Sequence, residues 1–229
     1  MRATFALLEK ITLSPSEIGP EDLDAAYRAG VSVSALVDAT YVCVGFNIVT
    51  RIANALGFKV PSEELLLRAA RLLRVFGYRR LSGFWMSGST NSGMHMERTL
   101  DRDRYANKME RLRYAVLRGP GSLAPNIRQA ISERTYSSSP LGAFAQKVAE
   151  HASLVNDQDI QELHRAHYSD DQIFEAAVSA ALGAGLYRLD CVLTVMSHMS
   201  STRHKGRPQR AAPTFTLAEP KRSTLTGPK

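Results

Sequence analysis

Apolar residues along this chain recur at three- and four-residue spacing, and no segment sustains the strict alternation of a strand, so the pattern predicts an all-helical protein. Two stretches dominate, near Val33 to Leu56 and Asp170 to Met199. Both are apolar on most faces, which implies burial on more than one side. Their small residues, Ala180, Ala181, Gly183, Ala184 and Gly185 above all, permit close helix contact. Glycine inside a helix costs roughly 1 kcal/mol relative to alanine, so two within three residues indicate that closeness outweighs propensity. Before each long stretch runs a short helix, Pro20 to Ala26 or Asp157 to Leu163, with acids at its positive N-terminal end. Ser32 and Ser169 then stand where an N-cap is wanted, and Gln172 three residues after Ser169 gives capping-box spacing.

The two stretches are related by a constant offset. Shifting the chain by 137 positions lays Glu17–Leu56 over Leu154–Leu193, matching Asp22/Asp159, Arg28/Arg165, Ala29/Ala166, Ser32/Ser169, Ala39/Ala176, Arg51/Arg188 and Leu56/Leu193. Unrelated segments of ordinary composition would share roughly two or three residues over such a length. Substitutions such as Leu36/Ile173, Asp38/Glu175 and Ile52/Leu189 keep their physical character. The expected organisation is a first helical repeat at 1–60, connecting helices and a loop at 61–140, a second helical repeat at 141–199 and a basic disordered tail at 200–229. Within the connection, 61–78 predicts an amphipathic helix with arginines mostly on its outer side, and 82–96 a loop rich in Gly, Ser and Met. Arg102 to Arg118 predicts a charged helix ended by Gly119-Pro120-Gly121, Pro125 to Ile131 a short helix, and Ser137 to Pro140 a linker.

Composition narrows the function classes. The net charge of +7 suggests nucleic-acid binding until it is located: seven basic residues against Glu219 alone fall between Ser200 and Lys229, among four prolines. That composition describes a disordered tail suited to weak polyanion contact, not a folded DNA-binding domain. No stretch approaches the roughly 20 uninterrupted apolar residues of a membrane helix, and Met1 to Lys10 has no cleavage-like site, so a cytoplasmic protein without membrane contact is expected. Cys43 and Cys191 are too few for a disulfide framework, and neither has a second cysteine nearby to suggest zinc or dithiol chemistry. No metal, cofactor, phosphate loop, dinucleotide fingerprint or nucleophile elbow is expected.

Tyr168 to Leu189 and the run Phe46-Asn47-Ile48-Val49-Thr50-Arg51-Ile52-Ala53-Asn54-Ala55-Leu56-Gly57-Phe58 resemble the carboxymuconolactone decarboxylase and alkylhydroperoxidase D superfamily, more weakly through Leu117 to Leu123. The resemblance covers about 40 residues in each copy. It implies an all-α alkylhydroperoxidase D-like fold with two diverged helical repeats, a homo-oligomer, and a small-molecule ligand such as an organic acid or lactone. Members with peroxidase activity use two cysteines one helical turn apart, one attacking peroxide and the other closing a disulfide. This chain contains no C-x-x-C, and its cysteines occupy different places in their copies. Dithiol peroxidase activity is therefore not expected.

The recurrent charges supply the candidate site. Asp38 and Arg51, like Glu175 and Arg188, are thirteen residues apart, roughly 20 Å along one helix and too far for contact. If the copies pack about a pseudo-twofold axis, Asp38 approaches Arg188 and Glu175 approaches Arg51. These positions then serve either as buried ion pairs fixing helix register or as a site. In the second reading Arg51 and Arg188 bind a substrate carboxylate, Asn47 supports them, and Glu175, Asp38 and His198 are the catalytic acid/base candidates. His164 and His167 share a spacing that suits one metal-facing pair but lack a third ligand, and His95 lies between Met94 and Met96. The competing function is a catalytically inactive helical oligomer kept for binding or assembly.

Overall fold

A computed structural model describes residues 2–58, 61–68, 70, 71 and 102–205, and every described element is helical. The principal helices are α1 (Arg2–Leu13), α2 (Pro20–Arg28), α3 (Val33–Ala55), α4 (Arg102–Arg118), α5 (Pro125–Ser132), α6 (Pro140–His151), α7 (Asp157–Arg165) and α8 (Asp170–Lys205). Short 3₁₀ turns occupy Pro15–Glu17 and Ala152–Leu154. Positions 63–68, 70 and 71 are helical, in keeping with the helix expected at 61–78, whose remaining residues lie outside those described. The loop at 82–96, with Met94, His95 and Met96, and the tail from 206 onward also lie outside them.

The termini of these helices follow from local chemistry. Ser32 Oγ accepts the Ala35 N–H at 3.2 Å, Ser169 and Gln172 close a reciprocal capping box, and Ser139 Oγ accepts the Gly142 N–H at 3.2 Å. Ser139-Pro140 is thus a helix start rather than linker, because proline at the first helical position loses only an N–H that would lack a partner. α8 runs on to Lys205, beyond Met199 where the apolar pattern stops and into the stretch expected to be disordered tail. Among the described residues, four helix ends turn through a residue with positive φ: Gly30, Gly57, Arg134 and His167. Glycine adopts this left-handed conformation freely, whereas Arg134 and His167 hold it against a side-chain penalty.

The offset of 137 carries element bounds into one another. It takes Pro15–Glu17 to Ala152–Leu154, Pro20–Arg28 to Asp157–Arg165, and the first residue of α3 to that of α8. α1 falls within one residue of α6 in the same way. It also relates side-chain contacts. Lys10 pairs with Asp22 at 2.8 Å and Lys147 with Asp159 at 2.7 Å, while each aspartate also accepts a backbone N–H, from Gly19 or Asn156 at 2.8 Å.

α3 and α8 share the most extensive helix contact, and α8 also packs on α6, α5 and α4. One core cluster gathers Leu7, Ile11, Leu23, Ala26 and Leu36 with Val192 and Met196; another gathers Phe144, Val148, Leu163 and Ile173 with Ala55. Each half thus completes its interior with the end of the other half's long helix. A third cluster, with Val44, Ile48, Leu182, Leu186 and Leu189, joins the two at their crossing. Gly183 and Gly185 do what small residues in a helix suggest. A Cβ on Gly183 would collide with the Ser132 carbonyl of α5, and one on Gly185 with the Ile48 side chain of α3.

α3 and α8 are each long and apolar enough to cross a membrane, despite lacking an uninterrupted apolar run. In α8 most of that apolar window is buried as core; in α3 only 28% of it is.

Candidate functional site

The recurrent charges do not pair across the molecule as their positions suggested. Arg188 donates from Nε and Nη2 to the Thr12 carbonyl at 3.4 and 3.2 Å, and from Nη1 to the Ala184 carbonyl at 2.8 Å. Arg51 donates from Nε to the Ala149 carbonyl at 3.2 Å, and from Nη1 to Asn47 O and Oδ1 at 3.1 and 2.8 Å. Thr12 and Ala149 are themselves 137 positions apart and lie in the last turns of α1 and α6. Carbonyls there have no partner within their helix and sit at the negative end of its dipole, so they accept a guanidinium where a carboxylate was expected. The expected Asp38–Arg188 and Glu175–Arg51 approaches are replaced by this crossed capping.

The two acids are held elsewhere. Asp38, exposed on α3, accepts the Tyr105 hydroxyl at 2.8 Å, and the Tyr105 ring stacks on Tyr41 with centroids 4.5 Å apart. Glu175 accepts the backbone N–H groups of Ser122 and Leu123 at 2.6 and 2.8 Å, fastening the turn after α4 onto α8. Beside it lies Arg128, a buried residue to which the sequence pattern gave no role. Its Nη1 and Nη2 donate to the Val116 and Gly119 carbonyls at 2.7 and 2.5 Å, capping a third helix end, while its Nε faces Glu175 at 3.8 Å. His198 is exposed near the end of α8. The site candidates therefore fall in four places: Arg51, Arg188 and Asn47 together, Glu175 with Arg128, Asp38 with Tyr105, and His198 near the end of α8.

In the first of these groups Asn47 and Arg188 are buried and Arg51 is half-buried. Asn47 donates from Nδ2 to Cys43 O at 3.0 Å and to Thr12 Oγ1 at 3.1 Å, and lies 3.5 Å from Cys43 Sγ. Burial pulls the Arg188 guanidinium down to about 10, helped by the like charges of Arg51 and Arg134 and opposed by Cys43 and Cys191. Burial likewise lowers Arg51. Arg188 therefore remains charged at neutral pH. Cys43 and Cys191 are free thiols that pack against the same apolar cluster and both act on this one arginine. Their shared neighbour leaves no trace in sequence spacing.

A cleft of about 490 Å³ opens between α4, α5 and α8, lined among others by Leu117, Arg134, Leu186, Tyr187 and Asp190. It includes none of the six candidate residues. Arg134 places its guanidinium 4.6 Å above the Tyr187 ring and 3.6 Å from Glu150. A non-glycine residue in the left-handed region is uncommon enough to mark this corner. His164 lies 3.4 Å from Asp170 and no third ligand joins it; among the described residues no group of three metal-binding side chains gathers. Comparison with family models, with curated proteins and with solved structures yields no match.

Proposed function

We propose that this chain is a helical scaffold of the carboxymuconolactone decarboxylase and alkylhydroperoxidase D-like type, two diverged copies of one unit, serving binding or assembly as a cytoplasmic homo-oligomer without acid/base catalysis at the recurrent charges. The observation that carries this reading is the engagement of those charges by backbone groups. Arg51 and Arg188 cap helix ends, and Glu175 spends both oxygens on a turn. A guanidinium committed to two carbonyls has little left for a bidentate grip on a carboxylate, and a carboxylate with both oxygens taken by backbone N–H groups is not free to face a substrate. The test pairs activity with stability. Turnover of small lactones and unsaturated organic acids should stay at the buffer rate, while Arg51→Gln lowers Tm. Turnover abolished by Arg51→Gln at unchanged Tm would overturn the scaffold reading.

A second reading keeps a small organic acid as ligand but moves it to the cleft between α4, α5 and α8. Arg134, strained in its backbone and stacked over Tyr187, favours it. Titration of the protein with small dicarboxylates then gives binding that Arg134→Ala removes; absence of binding at millimolar concentration rejects it.

A further inference from the structure

We infer that the helix at 63–71 docks the protein on an anionic membrane surface, lying in the plane of the lipid headgroups rather than crossing the bilayer. The inference rests on the binding side of the scaffold reading and names its partner. It departs from the expectation of no membrane contact, which came from the lack of an uninterrupted apolar run; a helix that lies in the surface needs no such run.

The start of this helix is set by local chemistry. Ser62 Oγ accepts the Leu65 N–H at 3.4 Å, the Ser62 carbonyl accepts the Leu66 N–H at 3.0 Å, and Glu64 pairs with Arg68 one turn on at 2.6 Å. Its described positions are all exposed, with Leu65, Leu66 and Leu67 at 56%, 48% and 51%. A helix this short is marginal in water by itself, so its order calls for a surface that covers the leucines.

The residues beside the leucines identify that surface. Leu65, Leu66 and Ala70 fall on one side of the helix and Glu64, Arg68 and Arg71 on the other, with Leu67 alone of the leucines among the arginines. The sequence repeats this arrangement beyond Arg71, with Leu72, Leu73 and Phe76 at the spacings of the apolar side and Arg74 and Arg79 at those of the basic side. An apolar stripe edged by arginines suits a lipid surface, where leucine and phenylalanine enter the acyl boundary and guanidinium groups meet headgroup phosphates and carboxylates. Tyr78, Phe84 and Trp85, the chain's single tryptophan, add the aromatics that favour this boundary. A second copy fits less well, since pairing two apolar sides brings arginine toward arginine along their edges. A nucleic acid would leave the leucines in water. Stable attachment of this kind takes two signals, and the second is the run from Ser200 to Lys229, whose seven basic residues are attracted by an anionic leaflet.

The experiment is flotation of the full chain with lipid vesicles, with circular dichroism as the check on folding. Wild type should float with vesicles of phosphatidylcholine and phosphatidylserine, roughly tenfold less with phosphatidylcholine alone, and its binding should weaken as salt rises. Leu65→Glu with Leu66→Glu, and separately Arg68→Glu with Arg71→Glu, should each lower binding about tenfold at unchanged helicity. If a glutamate disturbs folding, Arg68→Gln with Arg71→Gln should show a smaller drop in the same direction. A wild type that does not float overturns the inference and leaves the scaffold reading to its own test of turnover and Tm. Binding that survives both helix variants, yet is lost when the seven basic residues from Arg203 to Lys229 become serine, assigns the contact to the tail and overturns it as well. So does a protein that ignores vesicles but retains a DNA or RNA oligonucleotide through Arg68 and Arg71.

Discussion

Arg188 reaches across 176 positions of sequence to donate to the carbonyl of Thr12, with Nε at 3.4 Å and Nη2 at 3.2 Å. The contact joins the middle of α8 to the end of α1 and sets a buried cation against a helix terminus. Removing the guanidinium leaves buried carbonyls without a donor, which costs about 2 kcal/mol, or about 4–8 °C in Tm for a chain of this size. Arg188→Met should show that loss. Arg188→Lys should fall between, because one ammonium cannot present the fixed fork that serves Thr12 and Ala184 together. Chemical denaturation of the three proteins checks the order, and a neutral Arg188→Met would show that the cap contributes nothing.

Glu175 makes a different prediction, local rather than global. Glu175→Gln keeps one acceptor for the Ser122 and Leu123 amides and loses the charge facing Arg128, for an expected cost of about 1–2 kcal/mol. Hydrogen exchange at those two amides should accelerate more than in α6. Uniform acceleration would mean that the carboxylate does not hold the turn.

The two helical glycines in α8 separate by what they touch. At Gly183 an added methyl meets the Ser132 backbone carbonyl, which cannot step aside without moving α5; at Gly185 it meets the end of the Ile48 side chain, which can rotate. Gly183→Ala should therefore destabilise by about 1–3 kcal/mol, as overpacking does. Gly185→Ala should cost less, offset by alanine's helix preference of about 1 kcal/mol. Equal losses in thermal melts would contradict this account.

Acid stability should depend on Asp22. Burial raises its carboxyl, but the Gly19 N–H and the Lys10 ammonium outweigh burial and hold it below its ordinary 3.8. A folded pKa below the unfolded one means stability that is fully present above about pH 5 and lost as pH falls through the folded value. Asp22→Asn should thus be less stable than wild type at pH 7, and the gap should close below pH 3.8. A gap that persists unchanged to pH 2 would assign the effect to packing.

Cys43 and Cys191 should not support peroxidase turnover, since each lies alone in its stretch of sequence. The Cys43→Ser, Cys191→Ser protein should consume organic hydroperoxide as slowly as its parent. A clear loss of rate in the variant would restore thiol chemistry to the molecule.

How far the sequence led differs from residue to residue. The offset of 137 was legible in residues 17–56 because capping serines, buried aliphatics and Asp22 are chemically constrained, and it carries into the bounds of the 3₁₀ turns and of α2 and α7. α1 and α6 were not legible, since under the same offset they share only Ala6/Ala143 and Lys10/Lys147. Lys10 and Lys147 were the usable signal, because each pairs with the matched aspartate. Gly30 and His167 occupy one conformation with different side chains, which hides the match from residue identity. The partners of Arg51 and Arg188 were unreadable for a deeper reason. They are carbonyls, which every residue carries, so side-chain pattern pointed to Asp38 and Glu175 instead.

The exchange of helix ends between the halves, Ala55 into one cluster and Val192 into the other, bears on how the chain is made. Residues 2–55 leave the ribosome with their interior lacking Val192, synthesised 137 residues after Ala55, and Met196 beyond it. Until then the first half is an incomplete core that holds exposed apolar surface in waiting. Domain-by-domain folding during synthesis, the usual course for long chains, is closed to it. Two fragments cut within the connection between α3 and α4 should each be poorly ordered alone and regain helical packing only when mixed.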